Sequence, residues 1–313
     1  MIFVATNLTY FLANAFLKPA SNYLSRRPPI PQSQIDRSLG QYNLNPQVSI
    51  FDRWWHWLTQ IMLHWDWGRS PTGDNVNSEI VYRALISGQL VLASTVLSIV
   101  IGVALGVFTA ARQYKVSDRA WQGLSVITFN TPSAVAALAV VLIAISINQH
   151  SGHTWLPVAG AQSPASAGFW DIAASRAQHA ILPTISLTII SYASYHLLQR
   201  SLLLDTINSD FVRTARAKGL TRNQAIRRHG LRTSLIPVAT QVAFAMPALF
   251  TGAVITETVF AWHGMGQYFT QTISQNDVHG AVAVAAFGAL MTAIGAILAD
   301  IVVVILDPRI RVS

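Results

Sequence analysis

DFVRTARAKGLTRNQAIRRHGLRTSLIP occupies residues 210–237, between two long apolar runs. Between Arg200 and Arg232 there are eight Lys/Arg and only two acids, Asp205 and Asp210. A basic loop between apolar runs stays in the cytoplasm under the positive-inside rule. This stretch is therefore predicted to be a cytoplasmic loop between two membrane spans.

The first half of this loop is predicted to be a short helix over Asp210–Lys218. Phe211, Ala215 and Gly219 are spaced i, i+4 and i+8, which places them on one helical face. Gly219 is the residue type that ends a helix in the left-handed conformation. The pattern predicts an ordered element with an apolar face.

The second half of the loop carries a start signal for another helix. Thr221 is followed three residues later by Gln224, the spacing of a capping box. The signal predicts a helix running toward His229. The loop is thus interpreted as two short helices and not as a floppy connection.

Composition indicates a membrane protein. Of the 313 residues, 52% are hydrophobic and 11% are charged, whereas soluble domains carry about 25% charged residues. The net charge of +8 lies mainly in loops between apolar runs, which argues against nucleic acid as a partner. The chain has no cysteine, so disulfides and thiolate metal sites are excluded.

Apolar runs predict an all-α polytopic protein with six transmembrane helices, at residues 2–17, 85–111, 124–147, 180–198, 235–259 and 278–306. The loops predicted to be cytoplasmic hold 13 Lys/Arg and those predicted to be outside hold 7. This bias places both termini in the cytoplasm. We expect a domain of residues 1–20 for the first span, an extracytoplasmic segment 21–80, and a core 81–313 with the loop 205–236.

Small residues and a proline mark local features of the spans. Gly102 and Gly106, four apart, predict close helix approach, as do Gly288 and Gly295, seven apart. Pro132 either hinges the third span or lies harmlessly in its first turn.

Two segments outside the longer apolar runs leave alternatives open. The run at 2–17 is short, so the first span is expected to begin upstream of this sequence, with a signal-like segment as the alternative. The aromatic-rich segment 51–64 is either an interfacial helix or part of a small packed subdomain.

The motif at Thr214–Leu220, followed by His229 and by Leu235–Pro237, resembles the cytoplasmic loop of binding-protein-dependent ABC importer permeases, in particular the peptide/nickel subfamily. Arg213 stands where many permeases have Glu, as is usual in this subfamily. The resemblance extends to residues 257–266, where His263 replaces the usual Pro, and to the terminal Asp-Pro-Arg at 307–309.

The segment Asp66–Ser70 matches a fourth motif of that family, an extracytoplasmic one, in part: Trp65 stands where a Gly is usual. The match covers nearly all of the chain from Asp66 onward.

The resemblance implies a permease subunit, similar to the B-type subunit of dipeptide and oligopeptide importers, in the bacterial plasma (inner) membrane. It implies partners: a second homologous permease, two ABC ATPase subunits or one two-headed ATPase, an extracytoplasmic substrate-binding protein, and membrane lipid. ATP and Mg would belong to the ATPase subunits, with no cofactor on this chain. Peptides are the expected cargo; nickel, glutathione or haem are the alternatives.

In that family the cytoplasmic loop is the coupling element that sits in a groove of the ATPase. The resemblance therefore implies ATPase-coupling residues in this loop. They are Asp210, Phe211, Arg213, Ala215, Arg216, Lys218, Gly219 and Leu220. Phe211, Ala215, Gly219 and Leu220 are expected to form the docking face, with the three cations around it. A basic amphipathic loop on anionic lipid is the alternative.

The chain is not predicted to be an enzyme. There is no Walker A or Gly-x-Ser-x-Gly motif, and Ser194 and His196 are two apart and face different sides. His150 and His153 are interpreted as loop residues and not as metal ligands.

Two acids in the apolar runs leave an ion-gradient-driven carrier open as an alternative. Glu257 is expected at the outer end of its span, facing the pathway or solvent. Asp300 is expected to make a packing contact to Arg or Thr, with a proton relay as the alternative.

Overall fold

The structure is a computed structural model that describes residues 1–24, 28–207, 209–226, 230–231, 233–238, 240–242 and 253–306. Its named elements are α-helices, which we number in chain order. They are α1 Ile2–Phe16, α2 Ser21–Leu24, α3 Gln32–Gln41, α4 Ile50–His64, α5 Val76–Ala111, α6 Val116–Phe129, α7 Ser133–Ser151, α8 Phe169–Ile207, α9 Asp210–Ala217, α10 Arg222–Ala225, α11 Val254–Val259, α12 Met265–Ser274 and α13 Val278–Leu306. The prediction of an all-helical chain is confirmed for the described residues.

Four helices are long and apolar enough to cross a membrane, over Val76–Ala111, Ser133–Ser151, Phe169–Ile207 and Val278–Leu298. Two of them begin well before the predicted apolar runs, because polar and charged residues continue the helix beyond the apolar part. Of the other two predicted spans, the first is a helix of 15 residues. The run at 235–259 contains residues 243–252, which lie outside the described part of the chain.

The predicted third span, 124–147, is wrong as a single helix. The chain forms α6 and α7 instead, with a break at residues 130–132. Pro132 is the N-cap of α7, and its ψ of 140° is extended and not helical. Proline lacks the N–H that would continue the hydrogen-bond ladder of α6, so a new helix starts after it.

The chain forms two compact units, each assembled from segments that are separate in sequence. The first unit comprises Met1–Gly88, Phe250–Thr258 and Trp262–Thr292, and the second comprises Gln89–Leu249, Val259–Ala261 and Ala293–Ser313.

The first unit has an apolar core in which α1, α3 and α4 pack with the start of α13. Tyr10 and Trp57 are buried there and their rings stack at 4.6 Å between centroids. Trp57 therefore belongs to a packed subdomain, one of the two alternatives predicted for segment 51–64. Phe51 and Trp55 on the same helix stay exposed, so α4 also keeps an apolar outer face.

In the second unit α8 is the central helix, and α6 and α7 pack on it. The prediction that Gly102 and Gly106 allow close approach is confirmed. A Cβ at Gly102 would lie 2.6 Å from the carbonyl oxygen of Tyr192, and one at Gly106 would lie 2.7 Å from Cβ of Gln199. By contrast, a Cβ at Gly288 would meet nothing within 4 Å, so the predicted tight contact is wrong at that glycine for the described part of the chain.

Candidate functional site

The basic loop folds into α9 and α10, and the end of α9 has the geometry that its glycine predicts. Gly219 has a φ of +92° and lies in the left-handed region. The N–H of Gly219 donates to the carbonyl of Arg216 at 3.0 Å, and the N–H of Leu220 donates to the carbonyl of Ala215 at 3.3 Å. These two bonds form a Schellman motif, which closes the C-terminus of the helix.

The predicted capping box is also confirmed. The backbone N–H of Thr221 donates to Oε1 of Gln224 at 3.0 Å, and the N–H of Gln224 donates to Oγ1 of Thr221 at 3.4 Å. The two bonds satisfy N–H groups that a helix start leaves without partners. Only a short turn separates the end of α9 from this cap, so the two helices form one compact element. His229 lies outside the described residues.

An apolar cluster holds α9 against α10, and it includes two residues of the predicted docking face. Val212, Ala215 and Ala225 are buried in this cluster, and Leu220 packs against it. Ala215 and Leu220 therefore face inward and are not available in full to a partner. The sequence-based prediction followed the i, i+4 spacing from Phe211 and missed Val212, whose i, i+3 spacing to Ala215 was the available signal.

The outward side of the element is basic with one aromatic ring. Phe211 is 45% exposed. The other predicted coupling residues that face outward are Asp210, Arg213, Arg216, Lys218 and Gly219. Arg213 lies 3.9 Å from Asp210, and their side chains are 73% and 99% exposed. A pair this exposed contributes little to stability, so both charges remain free to meet a partner.

The chain after α10 packs back on the ends of α5 and α8 in the second unit. Ile226 is buried with Ala110 at the end of α5 and with Leu203 near the end of α8. A Cβ built on Gly230 would lie 3.5 Å from the side chain of Thr206. The element is thus packed onto the ends of two helices as well as being joined to them through the backbone.

A buried ion pair joins α6 to α8 in the same unit. Nε of Arg200 lies 2.7 Å from Oδ1 of Asp118, and the two side chains are 14% and 1% exposed. The N–H of Tyr114 donates to the same carboxylate at 2.9 Å. Hydrogen bonding to the Arg200 guanidinium holds the pKa of Asp118 below its usual value, and this outweighs the opposing effect of burial.

Asp118 lies in the first turn of α6. No sequence signal links positions 118 and 200, which are 82 residues apart.

His196 forms a second buried contact between these helices. Its Nδ1 lies 2.6 Å from Oγ of Ser125 on α6, and its Nε2 lies 3.0 Å from Oγ1 of Thr109 on α5. Gln199, one turn further along α8, donates to Oγ of Ser234 at 2.8 Å. His196, Ser125 and Thr109 are fully buried, so their side chains serve as contacts between helices.

Glu257 is buried in the first unit, so the expectation that it faces a pathway or solvent is wrong. Its carboxylate accepts the hydroxyl of Ser87 at 2.5 Å and the N–H groups of Gly266 and Gln267 at 2.8 and 3.0 Å. The two N–H groups belong to the first turn of α12. Glu257 therefore caps that helix and ties it to α5.

The remaining polar candidates lie apart from these contacts. Asp300 is exposed on α13 and makes no hydrogen bond or ion pair with a described residue. The expected packing contact to Arg or Thr stays a prediction, because arginines of the cytoplasmic loop and of the terminal segment lie outside the described residues. Nδ1 of His150 lies 2.8 Å from the carbonyl of Ser146, and His153 packs edge-on against Trp155. The described residues hold no group of three or more His, Asp or Glu arranged for a metal ion.

Comparison with known proteins matches residues 102–312 to the family "Binding-protein-dependent transport system inner membrane component". The oligopeptide transport system permease protein OppB of Mycobacterium tuberculosis is 37% identical over all of this chain and 96% of its own length. The oligopeptide transport system permease protein AppB of Bacillus subtilis is 32% identical over 91% of this chain and 87% of its own length. The dipeptide transport system permease protein DppB of the same organism is 28% identical over 99% and 94%.

Proposed function

Because this chain belongs to the family of binding-protein-dependent transport system inner membrane components, we propose that it is the permease subunit of an ATP-driven importer that moves di- or oligopeptides into the cytoplasm. The proposal of peptide cargo is supported by the names of relatives that align over nearly the whole chain, which are oligopeptide and dipeptide permeases. The four long apolar helices are consistent with a membrane-embedded subunit.

The proposed topology has six spans and both termini in the cytoplasm of a bacterial inner membrane. Residues 1–20 form the first span, residues 21–80 an extracytoplasmic segment, and residues 81–313 the permease core with the cytoplasmic loop 205–236. The distribution of Lys and Arg supports this orientation.

The element formed by α9 and α10 is proposed to couple this subunit to the ATPase. Phe211 would enter the partner's groove. The exposed cations of the element, Arg213, Arg216 and Lys218, would surround it, together with Asp210 and Gly219. Ala215 and Leu220 would act from inside, by holding α9 on α10. ATP and Mg would be bound by the ATPase subunits.

The proposed mechanism needs the element to move as one piece with the spanning helices. ATP-driven closure of the ATPase dimer would displace α9, and the two caps keep α9 and α10 from unwinding. Ile226 and Gly230 pass the displacement to α5 and α8. The Asp118–Arg200 pair then carries it from α8 to α6, so the spans turn together between inward-open and outward-open states.

The assembly proposed around this chain contains a second homologous permease and an extracytoplasmic substrate-binding protein that delivers the peptide. The lateral surface of the permease faces membrane lipid. Exposed large apolar side chains on α5, α7 and α13 support such surroundings, since soluble proteins rarely leave large apolar patches uncovered.

The single observation that carries the coupling proposal is that α9 is capped at its C-terminal end and packed on α10, next to the residue Ile226 that contacts α5 and α8, yet presents a basic, aromatic outer surface. Gly219→Asp tests it, because Asp at a φ of +92° strains the turn and places a negative charge on that surface. We expect uptake of a labelled dipeptide to be lost while membrane insertion is kept.

Gly168→Asp is the matched control, since Gly168 has a φ of +89° and open space around it but lies far from the loop in sequence. Its uptake should equal that of the wild type. Wild-type uptake by Gly219→Asp would refute the coupling role.

A further inference from the structure

An apolar groove with a volume of about 520 Å³ runs along α5 and α13 in the first unit. α5 lines it with residues at the spacing i, i+3, i+4, i+7 and i+8, namely Asn77, Ile80, Val81, Ala84 and Leu85. α13 lines it at the spacing i, i+3, i+4 and i+7, with Ala283, Ala286, Phe287 and Leu290. Each spacing marks one face of a helix, so the groove follows the two helices for about 10–12 Å at about 1.5 Å per residue.

The groove offers a ligand almost no hydrogen-bonding group. Asn77 lines it with an amide that is engaged at both ends: Oδ1 accepts the N–H of Trp67 at 2.9 Å, and Nδ2 donates to the carbonyl of Trp65 at 2.5 Å. The other lining side chains are apolar, apart from the indole N–H groups of these two tryptophans. Such a groove favours a hydrocarbon, because a polar ligand would lose its hydrogen bonds to water without replacement.

The edges of the groove are exposed on helices that are long and apolar enough to cross a membrane. Val81, Leu85 and Leu290 are 62%, 65% and 44% exposed. Ala283 and Ala286 are buried and form the floor, where their small side chains leave room for a ligand. In a membrane-embedded protein, exposed apolar side chains on such helices meet lipid tails, so the groove is continuous with a surface that lipid covers.

Two tryptophans mark the end of the groove at which α5 begins. Both line the groove, and both are tied through their backbone to Asn77 in the first turn of α5. Trp65 ends α4 in the left-handed region, with a φ of +56°, and is 69% exposed. Met62 and Leu63 in the last turn of α4 are exposed as well. Tryptophan favours the boundary between lipid headgroups and tails, so the groove starts at that boundary and extends toward the membrane centre.

The dimensions of the groove fit one acyl chain and not a helix. One leaflet of the hydrocarbon core is about 15 Å deep, so a groove of about 10–12 Å covers most of it. A helix with its side chains is about 10–12 Å across, and about 10 Å of it fills about 800–1,100 Å³. That volume exceeds the roughly 520 Å³ of the groove.

We propose that this groove binds one acyl chain of a phospholipid whose headgroup lies beside Trp65 and Trp67. The chain contacts protein on both sides, so this lipid is held longer than the lipids of the surrounding bilayer. The inference rests on the proposed function only in placing the lipid in the outer leaflet.

The test is native mass spectrometry of the full-length chain after a detergent wash that strips loosely held lipid. The wild type should retain one phospholipid. Ala84→Phe fills the groove, and Ala93→Phe, at an exposed alanine of α5 outside the groove, is the matched control. Burial of two methylene groups is worth about tenfold in affinity, so Ala84→Phe should lower the retained fraction at least about tenfold. Ala93→Phe should leave it unchanged.

A second pair of variants leaves the packing of the groove floor untouched. Val81→Asn places an amide at the exposed edge of the groove and should weaken retention in the same direction. Val96→Asn, at a residue of α5 that is 51% exposed and lies outside the groove, should not. Wild-type retention by Ala84→Phe or by Val81→Asn would overturn the proposal.

Photolabelling identifies the occupant. The probe is phosphatidylethanolamine with a diazirine in the middle of one acyl chain, mixed into vesicles that hold the wild type. Adducts on residues 80–85 and 283–290 should saturate as the probe fraction rises, because a site fills whereas bulk lipid contact does not. Labelling in proportion to the probe would overturn the proposal. So would loss of these adducts in the assembled importer, which would show that a second subunit covers the groove.

Neither measurement reads ATP hydrolysis or uptake. A failure of the uptake proposal would therefore leave both results unchanged.

Discussion

The guanidinium of Arg200 holds the carboxylate of Asp118 through two hydrogen bonds, from Nε to Oδ1 at 2.7 Å and from Nη2 to Oδ2 at 2.9 Å. The pair links α6 to α8 a short distance before α8 leads into the coupling element. A two-point contact of this kind fixes orientation as well as distance. Through this contact a displacement of α8 by the coupling element can be passed on to α6.

Removing one partner of this pair is expected to destabilise the protein. Asp118→Asn leaves the Arg200 charge largely buried without its counter-ion, which costs about 3–5 kcal/mol. The melting temperature of the detergent-solubilised protein should fall accordingly. Asp171→Asn, an exposed acid on α8, serves as the control and should leave it unchanged. An equal melting temperature for the wild type and both variants would contradict the assigned role.

The same pair predicts a pH dependence. The folded pKa of Asp118 lies below the unfolded value of about 3.9, so its stabilisation is present above pH 4 and is lost as the pH falls through the folded pKa. The stability difference between wild type and Asp118→Asn should therefore stay constant from pH 7 to pH 5 and shrink only below about pH 4. A difference that already shrinks at pH 6 would argue against the pairing.

Asp277 is expected to show the opposite dependence. Burial raises the pKa of this carboxyl to about 6, although the N–H of Gly280 donates to it. A raised folded pKa means that its contribution is fully present below about pH 4 and is lost as the pH rises through 6. Asp277→Asn should therefore raise the melting temperature at pH 7.5, by an amount worth about 2–3 kcal/mol, and change it little at pH 4. A destabilised variant at pH 7.5 would contradict this.

The inward position of Ala215 gives a matched pair of variants. Ala215→Leu must force its larger side chain into the cluster with Val212 and Ala225, at a cost of about 1–3 kcal/mol. Ala217→Leu places the same side chain on the exposed side of α9. Amide hydrogen exchange over residues 210–226 should become faster in the first variant and not in the second. Equal exchange rates in the two variants would indicate that Ala215 lies on the exposed side of α9.

The capping role of Glu257 predicts a graded series. Glu257→Ala leaves the N–H groups of Gly266 and Gln267 buried or half-buried without an acceptor, at a cost of about 2–4 kcal/mol. Glu257→Gln keeps one acceptor oxygen and should lose less. The melting temperature should be highest for the wild type, lower for Glu257→Gln and lowest for Glu257→Ala. A wild-type melting temperature for Glu257→Ala would rule out the capping role.

Close packing of α5 on α8 predicts that Gly102→Ala lowers the stability of the protein, whereas Gly88→Ala does not. The added methyl at residue 102 would lie 2.6 Å from the backbone oxygen of Tyr192, whereas at residue 88 it would meet nothing within 4 Å. The first variant should lose about 1–3 kcal/mol of stability and the second should lose none. Thermal unfolding of both variants in the same detergent checks this, and equal stability would show that the helices are further apart.

Local patterns in the sequence predicted local structure well. The Schellman turn at Gly219, the capping box at Thr221 and the close approach at Gly102 are all set by residues within a few positions of each other, or by the absence of a side chain. The length of α13 was also predicted, because its apolar run contains a single acid, Asp300, and no proline.

Contacts between distant positions could not be predicted in this way. Nothing in the sequence pairs Asp118 with Arg200, since the partner of a buried charge is set by the tertiary fold. The burial of Ala215 could not be predicted either. The sequence placed Ala215 on an apolar face with Phe211, but α10 covers the neighbouring face, which Ala215 shares with Val212. The hydrogen bond between Nδ1 of His279 and the carbonyl of Arg69 likewise joins residues 210 positions apart.

Photo-crosslinking tests most directly whether the exposed side of α9 contacts a nucleotide-hydrolysing subunit. p-Benzoylphenylalanine is placed at Phe211 and, as a control, at Trp170, which is 80% exposed in the same unit but outside the loop. In the assembled complex, irradiation should give an adduct with the ATPase from position 211 and none from position 170. No ATPase adduct from position 211 would contradict the coupling role proposed for α9.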